Sequence, residues 1–189
     1  MIEDRKPRIA TVSLAGCFGC HMALLDIDER LMALMKLVEF DRSPLTDIKT
    51  FTRRCDIGII EGGCCNEENV EVLREFRRHC DVLVAIGQCA IMGGLPAMRN
   101  AIMHSDAALR ECLEEAYITG PYIRNTGHAI PNDPALPLLL DKVYPCSDVV
   151  EIDHQIPGCA PSGDIIFAAL TGLLSGKFRG FDPHLIRFD

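Results

Sequence analysis

Short apolar runs alternate with amphipathic stretches along the chain. The runs "RIATVSLAG", "DIGIIEGG" and "DVLVAIG" predict buried strands, and "DVVEID" predicts a shorter strand. The stretches from Met22 to about Phe40, Glu67 to Arg78 and Ser162 to Ser175 predict helices. Apolar strands that alternate with helices indicate an α/β fold, with a mostly parallel sheet covered by helices on both faces.

The length of the chain favours one domain. A chain of 189 residues can bury about 70% of its unfolded surface in a single core, so we expect one domain over residues 1–189. The segment at about 120–137 is rich in Pro, Gly and Asn, and we expect it to be an irregular excursion on the surface.

Charge and hydropathy limit which kinds of partner we expect for the protein and where in the cell we expect it. The net charge of -8 and the lack of a long basic run argue against a nucleic-acid partner. No apolar run approaches the roughly 18 residues of a membrane helix, so we expect no membrane insertion. The box "LAGC" is typical of lipoprotein processing, but "MIEDRKPR" is acidic as well as basic, and the apolar run after it is short and interrupted. We therefore expect the protein to be cytoplasmic.

The ten cysteines indicate metal or redox chemistry, because the cytosol keeps thiols reduced and disulfides are rare there. Cys55, Cys80 and Cys146 come before predicted strands, whereas six cysteines follow strands. Those six are Cys17, Cys20, Cys64, Cys65, Cys89 and Cys159. The two edges of a parallel sheet are about 20 Å apart for six-residue strands. Only the six can therefore meet, at the carboxyl edge, where open α/β sheets bind ligands.

Separate thiolates at one edge suit either tetrahedral zinc or a four-iron cluster. Cys17 and Cys20 form a C-x-x-C pair, Cys89 lies in "GQCAIMGG", and Cys159 lies in "PGCAPS". Structural zinc sites usually take their ligands in two close pairs, and the single close pair here favours iron–sulfur. A thioredoxin-like dithiol would use only the C-x-x-C pair, and a flavin phosphate site would need a Gly-rich Ser/Thr loop that the chain does not display.

The motifs "GCFGCH", "EGG", "GQCAIMGG" and "PGCAP", in this order, resemble the small, electron-transfer subunit of [NiFe] hydrogenases and its relative in respiratory complex I. The resemblance runs from about Arg8 to Ala169 and implies a flavodoxin-like fold that binds one [4Fe-4S] cluster. Its implied ligands are Cys17, Cys20, Cys89 and Cys159. Complex I relatives begin the motif with two adjacent cysteines, so the separated pair favours the hydrogenase branch. The short form with "DIDERL" resembles the small subunits of cytoplasmic, bidirectional, NAD-reducing hydrogenases, because respiratory ones add a twin-arginine leader and a domain with two further clusters.

This resemblance implies an electron-relay subunit of a hydrogen dehydrogenase, which couples H2 to NAD. The NiFe site would lie in a large partner subunit, and FMN with further iron–sulfur clusters would lie in diaphorase subunits. A cluster subunit of a complex I-like or other [NiFe] oxidoreductase is the alternative. From a different class, a zinc-stabilised flavodoxin-like interaction module also remains open.

Four further residues are candidates for the surroundings of the cluster. His21 adjoins an implied ligand, and Glu61 ends a buried strand at the same edge of the sheet. An unpaired carboxylate there would be costly, so we expect Glu61 either to bond a loop or to serve partner contact or proton handling. Cys64 and Cys65 form a vicinal pair close to this edge, outside the implied ligand set. One face of the first predicted helix, where Asp28 lies among leucines and methionines with His21 on the same side, is the candidate contact surface for the large subunit. An internal salt bridge of Asp28 is the alternative.

Overall fold

The computed structural model describes residues 5–102, 105–178 and 180. The strands are β1 (Arg8–Ser13), β2 (Glu39–Phe40), β3 (Cys55–Glu61), β4 (Cys64–Asn66), β5 (Cys80–Ile86), β6 (Leu139–Tyr144) and β7 (His154–Ile156). The α-helices are α1 (Gly19–Leu25), α2 (Glu29–Leu37), α3 (Glu67–His79), α4 (Gly87–Met92), α5 (Asp106–Glu114) and α6 (Gly163–Leu174). Short 3-10 helices span Pro96–Ala101 and Cys146–Asp148, and a π-helical turn spans Glu115–Thr119.

The main sheet has five parallel strands in the order β2-β1-β3-β5-β7. Helices α1, α2 and α6 bury Leu24, Leu34 and Leu170 against one face of the sheet. Helix α3 buries Leu73 and Phe76 against the other face. This strand order is the flavodoxin-like one, and it confirms the predicted parallel sheet with helices on both faces.

The single helix predicted from Met22 to about Phe40 is wrong, because two helices and a short strand occupy that range. The break lies between α1 and α2, where Asp28 has a φ of 55°, outside the helical region. Ile27 beside it is fully buried in the core. Aspartates favour turns over helix interiors, and burial of Ile27 fixes the chain direction at this turn.

The strand predicted at "DVVEID" is also wrong, since β7 begins only at His154. The amides of Val149 and Val150 donate to the Cys146 carbonyl, so a turn uses the donors that a strand would need. The Asp153 carboxylate accepts from the Leu83 amide over 2.7 Å, which guides the chain into the sheet.

A second sheet of two antiparallel strands, β4 and β6, follows no pattern that we predicted. It places Cys64 opposite Tyr144 and lies directly after the turn at the end of β3. Residues 120–137, all of them described, form turns with no helix or strand and are mostly exposed. Within the described ranges, the helices are too short or too polar to cross a bilayer.

Gly58 provides a test of how closely β3 and β5 pack. A Cβ atom at this position would lie 2.6 Å from Leu83 Cδ2 and 2.7 Å from Cys80 Sγ. We expect Gly58→Ala to destabilise the fold by about 1–3 kcal/mol, as overpacked cores do. The measurement is the urea concentration at which the chain becomes protease-sensitive in a pulse-proteolysis assay. Gly127→Ala is the matched control, because its Cβ would meet nothing closer than 3.6 Å, and it should change stability by less than about 0.5 kcal/mol.

Candidate metal centre

Cys17 and Cys20 lie in the connection between β1 and α1. β1 ends at Ser13 and α1 begins at Gly19, so the pair is at the carboxyl edge of the sheet. Phe18 has a φ of 66°, a left-handed conformation that turns the chain between the two cysteines. Cys17 is exposed, whereas Cys20 is buried in the first turn of α1.

Two other strand ends supply Cys89 and Cys159. Cys89 belongs to α4, which begins at Gly87 directly after β5, and Cys159 comes shortly after β7. The Gln88 amide donates to the Gly158 carbonyl over 3.0 Å and joins the two loops. Cys89 is half-buried and Cys159 is exposed, so the site opens to the protein surface.

Cys20 and Cys89 each lie within electrostatic range of the other three candidate ligands. Burial, and then the nearby Glu61, Cys89, Cys17 and Cys159, raises the pKa of the Cys20 thiol to about 12. The pKa of Cys89 is raised as well, chiefly by burial and further by Cys159 and Cys17. The fold therefore brings together residues that are far apart in sequence. It also creates mutual repulsion between thiolates, which positively charged metal would relieve.

The four thiols are not arranged to bind a single metal ion, so the relevant comparison is with the ligands of a metal cluster. Among residues 5–102, 105–178 and 180, no three His, Cys, Asp or Glu side chains are placed to hold one metal ion. In a four-iron cluster each cysteine binds a different iron, so its ligands do not converge on one point.

Two glycines allow the backbone to approach the candidate ligands closely. A Cβ atom on Gly87, which has a φ of 80°, would lie 2.3 Å from Cys20 Sγ. A Cβ atom on Gly94, which has a φ of 50°, would lie 2.7 Å from Cys89 Sγ. Only glycine combines these dihedral angles with room for sulfur. The residues present therefore fit a thiolate-bound cluster both in their chemistry and in the space around two of the sulfurs.

Glu61 ends β3 inside the protein, and only 2% of its surface is exposed. Its carboxylate accepts from the Cys20 amide over 3.3 Å and from the His21 amide over 3.1 Å. His21 Nδ1 also contacts Glu61 Oε2, and the ring is equally buried. Glu61 therefore bonds the first turn of α1 and not a loop, and His21 forms part of the support of Cys20.

Cys64 and Cys65 form their hydrogen bonds with other partners. Cys64 is fully buried, and its neighbour Cys146, whose thiol donates to the Gly62 carbonyl over 3.3 Å, lowers the pKa of Cys64. The amide and the thiol of Cys65 both donate to Asn69 Oδ1, each over 3.2 Å. We therefore keep both cysteines outside the candidate ligand set.

Two hydroxyl residues near the site are not indicated by any motif in the sequence. Thr11 and Ser43 are each 1% exposed, and their hydroxyl oxygens lie 2.7 Å apart. Thr11 Oγ1 lies 3.0 Å from His21 Nε2. A threonine within the apolar run of β1 was the available signal, because a buried hydroxyl needs a partner.

The chain is similar to subunits of hydrogenases and to the 20 Kd subunit of NADH ubiquinone oxidoreductase. Residues 17–173 match the family described as "NADH ubiquinone oxidoreductase, 20 Kd subunit". The chain is 44% identical to the NAD-reducing hydrogenase HoxS subunit delta of Cupriavidus necator, over 99% of this chain and 88% of that one. It is 36% identical to a subunit of the F420-non-reducing hydrogenase of Methanothermobacter thermautotrophicus, over 91% of this chain and only 54% of the relative. It is also similar to a chain in a crystal structure of an NAD+-reducing [NiFe]-hydrogenase in the H2-reduced state. The TM-score is 0.90 at 51% identity, covering 98% of this chain and 100% of that one.

The raised pKa of Cys20 predicts slow alkylation in the folded, metal-free chain. A pKa of about 12 instead of 9.0 lowers the thiolate fraction at pH 8 on the order of 1000-fold. We expect iodoacetamide to modify Cys20 slowly in the native chain and rapidly in urea, with the native rate rising as pH increases. Peptide mass spectrometry gives the rates. The exposed Cys17 is the internal control and should react at similar rates in both states; equal protection of Cys17 and Cys20, or protection of neither, would contradict the prediction.

Proposed function

Because the chain belongs to the family of the NADH ubiquinone oxidoreductase 20 Kd subunit, we propose that it is the electron-relay subunit of an NAD-reducing [NiFe] hydrogenase. The observation that carries the proposal is the meeting of Cys17, Cys20, Cys89 and Cys159, from three separate strand ends, at one open edge of the sheet. Similarity to a hydrogenase chain over nearly the whole length supports the same assignment.

In this proposal the four cysteines hold one [4Fe-4S] cluster, which supplies one-electron transfer when it is bound. The chain itself makes and breaks no bonds in a substrate. Gly87 and Gly94 keep the space beside two of the ligands free of side chains. Glu61 holds the amides of the first turn of α1, and this keeps Cys20 in place.

We place the NiFe site in a large partner subunit, and FMN with further iron–sulfur clusters in diaphorase subunits, all in the cytoplasm. The exposed apolar side chains support contact with more than one partner. One group lies on α1 and α2 and includes Met22, Met32 and Met35, all more than half exposed. Another follows Cys89 in the chain and includes Met92, Leu95 and Met98, each more than 60% exposed. Clusters of exposed apolar residues mark interaction sites, and the second group begins beside a candidate ligand.

A cluster subunit of a complex I-like oxidoreductase is the second candidate, and the family description is the observation that favours it. Either function requires an iron–sulfur cluster. The substrates of the whole complex separate the two candidates. The complex purified with this chain should reduce NAD with H2 if the first candidate is right, and should lack H2-dependent activity if the second one is.

Metal content tests the ligand set. Single Ser substitutions of Cys17, Cys20, Cys89 and Cys159 should each remove most of the iron from the chain in its purified complex, because each replaces one thiolate of four. Iron and sulfide analysis with electron paramagnetic resonance provides the measurement. Cys64→Ser and Cys65→Ser are the matched controls and should keep the wild-type iron content. Loss of iron in these two but not in Cys89→Ser would show the ligand set to be wrong, and zinc without iron in the wild type would favour the zinc-stabilised module.

Charge at the exposed apolar groups tests the partner contacts. We expect Met32→Glu and Met98→Glu each to lower the amount of a partner subunit that copurifies, because burying an unpaired carboxylate in an interface is costly. Size-exclusion chromatography with subunit quantification gives the readout and shows which partner each variant loses. Glu substitution of Tyr122, a fully exposed residue in the irregular segment, is the control. A full complement of subunits in both methionine variants would contradict the proposed contacts.

A further inference from the structure

Four buried polar side chains form one connected chain inside the protein. Glu61, His21, Thr11 and Ser43 are each no more than 2% exposed. His21 Nδ1 contacts Glu61 Oε2, and His21 Nε2 lies 3.0 Å from Thr11 Oγ1. Thr11 Oγ1 lies 2.7 Å from Ser43 Oγ. This chain of hydrogen bonds runs from β3 through α1 and β1 to the loop after β2. Its polar groups can be buried in the core because they bond one another.

One arrangement of protons satisfies every member of this chain, and in it each donor points toward Glu61. The Leu45 amide donates to Ser43 Oγ over 3.1 Å, and in this arrangement the Ser43 hydroxyl donates to Thr11. The Thr11 hydroxyl can then donate to His21 Nε2, and the Nδ1 proton of His21 goes to Glu61. This order satisfies every member with one proton each, and it ends on a carboxylate.

The carboxylate end of the chain meets a candidate cluster ligand. Glu61 accepts the amides of Cys20 and His21, so its negative charge lies directly beside the first turn of α1. The Glu61 carboxylate also lies within electrostatic range of the Cys20 thiol and helps to raise its pKa. A change in the charge on the Glu61 carboxylate therefore changes the electrostatic potential at Cys20.

The opposite end of the chain is fixed by its own loop. The Ser43 amide donates to the Ile48 carbonyl over 3.1 Å, and Lys49 Nζ donates to the Ser43 carbonyl over 3.4 Å. Ser43 is therefore held by contacts that do not involve the metal centre. Ser43 can therefore hold the Thr11 hydroxyl, and through it the His21 ring, in a fixed orientation.

We propose that Thr11 and Ser43 are positioning residues, which set the reduction potential of the cluster through His21 and Glu61. The inference rests on the proposed function and adds to it two residues outside the ligand loops. Hydrogen bonds in a chain polarise one another, so donation from Thr11 makes the His21 ring a stronger donor to Glu61. Without that donation more negative charge remains beside Cys20, and the cluster becomes harder to reduce.

Two substitutions of Thr11 separate the hydroxyl group from packing. Thr11→Val keeps the shape and removes the hydroxyl, whereas Thr11→Ser keeps the hydroxyl and removes a methyl group. Thr171→Val is the matched control, because it removes a hydroxyl that bonds only to carbonyls within α6. Each variant is purified as the complete complex, its iron content is measured, and the cluster is titrated potentiometrically by electron paramagnetic resonance.

In Thr11→Val we expect the ratio of reduced to oxidised cluster at a fixed potential to fall about threefold to tenfold, where tenfold corresponds to about 59 mV for one electron. Ser43→Ala should shift the ratio in the same direction by less, and it carries the test if Thr11→Val does not assemble. Thr11→Ser and Thr171→Val should keep the wild-type potential. Unchanged potentials in both Thr11→Val and Ser43→Ala, or a larger shift in Thr11→Ser, would overturn the inference. Absence of an iron–sulfur signal in the wild-type complex would instead overturn the proposed function.

Discussion

A carboxylate in a protein core has to be surrounded by donors, and the candidate metal centre is organised around the way Glu61 meets this requirement. The end of β3 places Glu61 inside the protein, beside the start of α1. Its oxygens take the amides of Cys20 and His21, which would otherwise be unpaired donors at a helix start. The same contact joins β3 to α1. The candidate ligand on α1 is thereby held by the main sheet and not by its own loop alone.

The parallel sheet supplies the second constraint. Because β1, β5 and β7 run in the same direction, the loops that carry the candidate cysteines leave the sheet at one edge. Loops that meet in this way bring sulfur close to backbone, and the glycines at positions 87 and 94 provide the space. Burial, and then the charges of Glu61 and of the other three candidate cysteines, raise the pKa of the Cys20 thiol, and bound metal would favour the thiolate by replacing its proton.

The remaining cysteines show how the same residue type takes another role at a different place. Cys55 and Cys80 begin neighbouring strands and pair with each other in register, at the amino edge of the sheet. Both are buried in the core that α3 covers. Small apolar side chains suffice there, and the distance along the strands keeps them away from the candidate centre. Their position at the amino edge of the sheet therefore gives these two cysteines a packing role.

Local pattern in the sequence determined the parallel sheet, the helices on its two faces and the edge at which Cys17, Cys89 and Cys159 would gather. These follow from the alternation of strands and helices, and from the fixed direction of parallel strands. The late start of β7 and the antiparallel pair of β4 and β6 depend on contacts between distant segments, and the break at Asp28 depends on the burial of Ile27 as well as on a local turn residue. The same holds for the hydroxyls of Thr11 and Ser43, which are 32 positions apart. Thr11 stands out within the apolar run of β1, but only tertiary packing brings it and Ser43 to His21 and Glu61, because a buried polar group finds its partner through space and not along the chain.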